Sequence, residues 1–148
     1  MSVVLDASVT IDFCLRSEGS VYARSVLVHI IEHRALVPLV WPTEVANALL
    51  MARRRKGLPA SECDEALALL SGIEVSIADD TALAHLRTVH HIGERFGLTG
   101  YDASYLSLAI QSGFALATGD AALRRAAEAA HVPLFGMAKP VALPSGSA

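Results

Sequence analysis

Asp6, Glu44, Asp102 and Asp120 are the residues whose type and placement most suggest chemistry. Asp6 directly follows the apolar triplet Val3-Val4-Leu5, and Asp120 stands two residues after Thr118, the end of a second apolar run, Phe114 to Thr118. Glu44 and Asp102 each fall in the first turn of a predicted helix, the one opened by Pro42-Thr43 and the other by Thr99-Gly100. Suppose the two runs are neighbouring parallel strands where strand order reverses. Asp6 and Asp120 then meet beyond the carboxyl ends of the strands, where open α/β sheets carry their functional crevice. A helix packing back on such a sheet starts at that same edge, which brings Glu44 and Asp102 there as well.

Such a gathering has electrostatic consequences. Two carboxylates about 5 Å apart at an effective dielectric of about 20 repel by roughly 3 kcal/mol, so the group takes up protons or holds a cation. Oxygen donors without His or Cys select a hard ion such as Mg²⁺ or Mn²⁺. That ion can generate hydroxide and neutralise charge on a phosphodiester, so no side-chain nucleophile is required. A plainer reading stands beside this one. Asp6, Asp102 and Asp120 all sit where Asp caps a helix start, and Glu44 in a first turn complements the helix dipole. Each acid taken alone fits that role, but four caps directed to one edge need a further reason. Glu62, Asp64, Glu65 and Glu128 lie on polar helical faces and read as solvated surface. Asp12 and Asp79 stay ambiguous.

The elements that must position these acids follow from apolar spacing. Val3-Val4-Leu5 reads as a buried strand and Asp6-Ala7-Ser8 as the start of a short helix to about Leu15. Ala23, Val26, Leu27, Ile30 and Ile31 recur at helical spacing between Val21 and Arg34. Ala35 to Pro38 predicts a second strand, and Pro42-Thr43-Glu44 opens a helix closed by Gly57. Further helices are expected from about Ala60 to Leu70, from Asp79-Asp80 onward with Leu83, Leu86, Val89 and Phe96 on one side, from Thr99 to about Ser112, and from Asp120 to Ala130. Ile73 to Ile77, Phe114 to Thr118 and Val132 to Phe135 complete the strands. Alternating strands and helices of this size imply a mainly parallel sheet covered on both faces. No repeat or linker divides the chain. Residues 1–137 read as one domain and 138–148, ending Pro-Ser-Gly-Ser-Ala, as a flexible tail.

Bulk properties narrow the classes. The chain has 148 residues, 53% of them hydrophobic and 5% aromatic, enough for one core of Ala, Val, Leu and Ile. Mean hydropathy of +0.44 also allows for surface covered by a partner. A net charge of −3 argues against coating nucleic acid through bulk charge, though not against a catalyst with a local basic strip. Cys14 and Cys63 make no disulfide framework and read as buried thiols in a reducing cytoplasm. No signal peptide precedes the first strand, and the uncharged run Ala103 to Gly119 is too polar for a membrane span.

Four segments carry the acids: Val4-Leu5-Asp6-Ala7-Ser8, Pro42-Thr43-Glu44-Val45-Ala46-Asn47-Ala48-Leu49, Leu98-Thr99-Gly100-Tyr101-Asp102-Ala103-Ser104-Tyr105 and Leu116-Ala117-Thr118-Gly119-Asp120-Ala121-Ala122-Leu123. In order, spacing and flanking pattern they resemble the PIN-domain nucleases, specifically the VapC-type toxins of bacterial toxin–antitoxin pairs, over essentially residues 3 to 135. The resemblance implies a PIN-like three-layer α/β/α sandwich with a mainly parallel sheet of about five strands, Mg²⁺- or Mn²⁺-dependent endonucleolytic cleavage of RNA, a homodimer, and inhibition by a cognate small antitoxin. It places Asp6, Glu44, Asp102 and Asp120 at the family's acidic positions, with Ser8 and Thr118 at hydroxyl positions near the metal. None of the acidic positions is lost. The run Arg53-Arg54-Arg55-Lys56 and Arg124, with Arg125 beside it, are candidates for RNA phosphates. For Arg53 to Lys56 the helix dipole explains the same residues without a ligand.

Two other readings compete. His29-Ile30-Ile31-Glu32-His33 fits the H-x-x-E-H pattern of inverted zinc peptidases, but both histidines fall off the apolar stripe of their helix, towards solvent. His90 and His91 point about 100° apart and cannot share one site. A non-catalytic receiver-like module with an acidic pocket would need a basic partner after the late strands, for which only Lys139 is placed.

Overall fold

Val3-Val4-Leu5 carries no polar side chain, and a strand buried on both faces requires that. In the computed structural model, which describes residues 1–15 and 20–136, this triplet is the inner strand β1 (Val3–Leu5). It pairs in parallel with β2 (Ala35–Val37) on one side and β4 (Ala115–Ala117) on the other, with Val4 opposite both Leu36 and Leu116. β3 (Val75–Ile77) extends the sheet beyond β2, also in parallel, giving the order β3-β2-β1-β4. The chain winds outward from β1 to β3 and then returns to the far side of β1. Strand order therefore reverses between β1 and β4.

The helices are α1 (Ala7–Leu15), α2 (Val21–Glu32), α3 (Trp41–Arg55), α4 (Ala60–Ser71), α5 (Ala82–Phe96), α6 (Gly100–Ser112) and α7 (Ala121–Ala129). α1 packs with α2, α3 and α4, while α6 packs with α5, α7, β1 and β4. Two helical groups flank the parallel sheet, which makes the expected α/β/α sandwich. The core joins Val4, Leu5, Leu116 and Ala117 of the sheet to Val26, Ile30, Leu106 and Leu123 of the helices.

Among the described residues the sheet has four strands where about five were expected. Val132 to Phe135 forms only a single parallel bridge, Leu116 to Leu134. The Leu116 N–H donates to the Pro133 carbonyl at 2.9 Å, and the Phe135 N–H donates to the Leu116 carbonyl at 2.9 Å. Pro133 has no N–H to continue the ladder. His131 and Gly136, both in left-handed backbone with φ of 57° and 71°, bend the chain on either side. The tail expected after residue 137 lies outside the described residues.

α5 also departs from expectation. It begins at Ala82 rather than at Asp79-Asp80, because the Thr81 hydroxyl takes the capping role and accepts from the Ala84 N–H at 3.4 Å. The helix lies along α6, where Gly93 permits close approach; a Cβ there would sit 3.2 Å from the Leu98 carbonyl oxygen. Ile92 is the residue it buries, whereas Leu83 and Leu86 project past the contact and are 71% and 62% exposed. Cys14 and Cys63 are free and half-buried, and burial pushes the Cys14 thiol up to about 11. Among the described residues, no helix is long and apolar enough to cross a membrane.

Candidate active site

The reversal between β1 and β4 puts Asp6 and Thr118 side by side at the carboxyl edge of the sheet. The Asp6 N–H donates to the Ala117 carbonyl at 3.0 Å, which locks that backbone to β4. Only 5% exposed, Asp6 accepts hydrogen bonds at Oδ2 from Ser8 Oγ and Thr118 Oγ1, each at 2.7 Å. Both hydroxyls are also acceptors: Ser8 Oγ takes the Gly119 N–H at 3.2 Å, and Thr118 Oγ1 takes the Asp120 N–H at 3.0 Å. An ionised carboxylate offers no hydrogen, so each hydroxyl gives its one hydrogen to Asp6. Oδ2 thus accepts twice, which leaves Oδ1 the less engaged oxygen of Asp6. Burial raises the Asp6 pKa, Ser8 and Thr118 oppose the rise, and the charge of Asp120 adds to it.

Glu44 arrives from the opposite helical group. Pro42 starts α3, and the indole N–H of buried Trp41 donates to Thr10 Oγ1 at 3.1 Å. That hydroxyl in turn donates to the Asp6 carbonyl at 3.2 Å, tying the heads of α3 and α1 together. Glu44 Oε1 accepts from the Tyr105 hydroxyl at 2.7 Å. Tyr105 is fully buried in α6, one turn after Asp102. Burial and the charge of Asp6 raise the Glu44 pKa against the pull of this hydrogen bond. Burial and the carboxylate beside it push the Tyr105 hydroxyl far above its ordinary range, so it remains a donor.

Asp102 and Asp120 divide the two roles foreseen for them. Thr99 caps α6, its hydroxyl accepting the Asp102 N–H at 3.2 Å, so Asp102 is not the cap and its carboxylate is not spent on one. Burial first, then the charges of Asp120, Asp6 and Glu44, raise Asp102 from 3.8 to about 6. It feels all three of its fellow acids. Asp120 is the cap of α7, with Oδ2 accepting the Leu123 N–H at 2.9 Å. The capping role therefore accounts for one oxygen of Asp120 and leaves the other.

Among the described residues, no Lys, Arg or His forms an ion pair with any of these four acids. Nor are any three His, Cys, Asp or Glu side chains drawn tightly enough to form a ready metal cage. The acids form an open cup. Its donors are oxygen alone and its charge is unneutralised, which suits a hard cation that keeps several waters, as Mg²⁺ does.

Tyr105, Thr10, Trp41 and Tyr22 were not foreseen as parts of this site. A signal for Tyr105 did exist: on a helix it is the i+3 neighbour of Asp102 and shares its face. Removing its hydroxyl in Tyr105→Phe is expected to weaken divalent-ion binding about tenfold, as loss of a partner behind a ligand typically does. Titration calorimetry checks this, and an unchanged isotherm would show that Glu44 needs no such anchor.

The basic candidates separate. Arg53 donates to the Leu58 carbonyl at 2.7 Å, closing its own helix end. The run from Arg53 to Lys56 is exposed and stands about 14 to 18 Å from Glu44 along the direction of α3, at about 1.5 Å per residue. Arg124, four residues after Asp120, lies at the site, and its Nε donates to the Thr118 carbonyl at 2.9 Å. Arg125 is exposed. Glu32 and His33 are exposed as well; the rings of His29 and His33 lie 4.3 Å apart with their planes tilted by 38°, and among the described residues no third ligand joins them. His90 and His91 are exposed. Lys139, on which the receiver reading depended, lies outside the described residues.

Comparison with known proteins bears on the fold and the family. No curated protein matches the sequence. Among solved structures, PAE2754 from Pyrobaculum aerophilum is 27% identical with a TM-score of 0.60, covering 85% of this chain and 87% of its own. FitAcB from Neisseria gonorrhoeae, 18% identical with a TM-score of 0.59, covers 91% of this chain and 96% of its own and supports the fold alone. The family model described as PIN domain matches residues 3–129, and the chain belongs to the PIN domain family.

Proposed function

We propose that this protein is an Mg²⁺- or Mn²⁺-dependent endoribonuclease that hydrolyses RNA phosphodiester bonds and serves as the toxin of a toxin–antitoxin pair. PIN domains are generally nucleases. The observation that carries the reading is the convergence of four acids from four different elements on one sheet edge, none of them ion-paired to a Lys, Arg or His among the described residues. Asp6, Glu44, Asp102 and Asp120 would hold the ion. When bound, it supplies charge neutralisation at the phosphodiester and hydroxide at neutral pH.

The chain's own residues supply order. Ser8 and Thr118 fix one oxygen of Asp6, Tyr105 fixes one oxygen of Glu44, and the Leu123 N–H fixes one oxygen of Asp120. Three carboxylates thus reach the site already oriented, each with its second oxygen to offer. Orientation settled beforehand is not paid for again when substrate binds. A small antitoxin and a second copy of the chain are the expected partners. The exposed Leu83, Leu86 and Tyr101, and the apolar groove of Trp41, Val45, Leu49, Leu67 and Leu70 between α3 and α4, leave surface for them. Free, half-buried thiols suit a reducing cytoplasm.

The test is direct. Purified protein should cut single-stranded RNA in Mg²⁺ or Mn²⁺, stop in EDTA, and resume when Mn²⁺ is restored. Cleavage indifferent to EDTA would overturn the metal role. A small reading frame beside the gene, whose product silences the activity, would support the toxin role.

A further inference from the structure

The four acids set a problem for an anionic substrate, because RNA must approach a cup of its own sign. Cation binding relieves part of that repulsion, and a fixed positive group beside the cup would relieve more. Resting on the nuclease reading above, we propose that Arg124, braced on Tyr22, is the subsite that grips a non-bridging phosphate oxygen of the RNA next to the four acids.

Three observations carry this. First, Arg124 follows Asp120 by one helical turn and so shares its face of α7. Its Nε is committed to the carbonyl of Thr118, the residue whose hydroxyl serves Asp6. The guanidinium is therefore tied to the same strand end as the acids.

Second, the guanidinium lies over the Tyr22 ring, its central carbon 5.0 Å from the ring centroid. Tyr22 is half-buried, and Gly136 comes close to its ring: a Cβ there would stand 3.4 Å from Tyr22 Cε2. Ring and guanidinium form a short stack, so Arg124 has already lost much of the rotamer freedom that binding would otherwise cost.

Third, among the described residues Arg124 forms no ion pair with any acid, although Asp120 stands one helical turn before it. Its charge is not consumed by the cup. Nε serves Thr118 and the side chain also hydrogen-bonds Tyr22, so the guanidinium is held in place with donors still to spare, and its planar fork matches a phosphate as a lysine ammonium does not. The other described cation run, Arg53 to Lys56, stands a helix length away.

Steady-state cleavage of a single-stranded RNA oligonucleotide in Mg²⁺, repeated across salt concentrations, tests the assignment. Arg124→Ala should raise KM about tenfold with kcat changed less than about threefold, the loss expected for a charge-assisted hydrogen bond at the substrate. The slope of log kcat/KM against log salt should flatten by about 0.7, one phosphate contact on a single strand. Arg124→Lys keeps charge and stem but not the fork, so it should retain the slope and still raise KM about threefold. Tyr22→Leu removes the brace and should fall between wild type and Arg124→Ala. Mg²⁺ affinity measured without RNA should stay the same in all three. Unchanged KM and slope in Arg124→Ala would overturn the proposal. So would Mg²⁺ affinity falling in step with activity, because Arg124 would then act on the acids. If the wild-type protein cuts no RNA at all, the nuclease reading itself has failed and takes this one with it.

Discussion

Asp6→Asn should abolish RNA cleavage, lowering kcat by on the order of 10³-fold or more, the scale of removing one preorganised electrostatic group at a reacting centre. Folding should survive for a structural reason. The amide oxygen of Asn can take the place of Oδ2 and accept from Ser8 and Thr118, the contacts that hold the residue now. The amide nitrogen then occupies the position of Oδ1, the atom left to face the cup, and an amide nitrogen cannot bind a cation. Asp102→Asn should be as severe, since Asp102 is the acid whose pKa is raised by all three of the others. A gel assay with circular dichroism as the folding control checks both. Wild-type activity in either variant would remove that residue from the mechanism.

The same substitutions should make the metal-free protein more stable. Asp102 is raised from 3.8 to about 6, so its folded form binds a proton more tightly than its unfolded form. For such a group the stabilisation is complete below about pH 4, declines as pH rises towards 6, and is absent above. The shift, discounted because solvent reaches the carboxyl, is worth about 1–2 kcal/mol. For a chain of this size that is a Tm difference of about 3–6 °C. Asp102→Asn should therefore melt higher than wild type by that amount near pH 7 in EDTA, with the gap closing towards pH 4. Mg²⁺ at a hundred times its Kd should raise the wild-type Tm by several degrees more, about 2.7 kcal/mol by linkage, and raise Asp102→Asn less. A differential scanning fluorimetry series across pH and Mg²⁺ reads all of this. Identical flat curves for the two proteins would mean the acids do not share one electrostatic field.

Much of this arrangement was readable before any coordinates. Apolar runs marked β1 and β4, helical spacing marked α2, α3 and α6, and Gly113, with φ of 71°, ended α6 as a glycine after a helix should. Asp120 as a cap and Asp6 at a strand end followed from neighbours within four residues. Where the reading failed, the deciding neighbours were further off or the local signals were close rivals. Thr81 displaced Asp79-Asp80 as the start of α5 because several adjacent residues could cap, and only packing on α6 chose between them. Pro133 and two left-handed residues reduced the last strand to one bridge. Leu83 and Leu86 carry a helical apolar pattern that the fold leaves uncovered.

Sequence alone supplied the acids, the element each begins, and the expectation of a parallel α/β sheet whose strand order, if it reversed beside β1, would carry them to one edge. These are local properties, set by side-chain type and by repeats of two or 3.6 residues. Tertiary structure decided what each acid faces. The contact from Tyr105 to Glu44 spans 61 residues and that from Thr118 to Asp6 spans 112, while the stack of Arg124 on Tyr22 joins α7 to α2. Such pairs depend on strand order and on how helices cross, and no short window of sequence contains both partners. The cup is thus written in local patterns, and the groups that orient its oxygens are chosen only when the layers close.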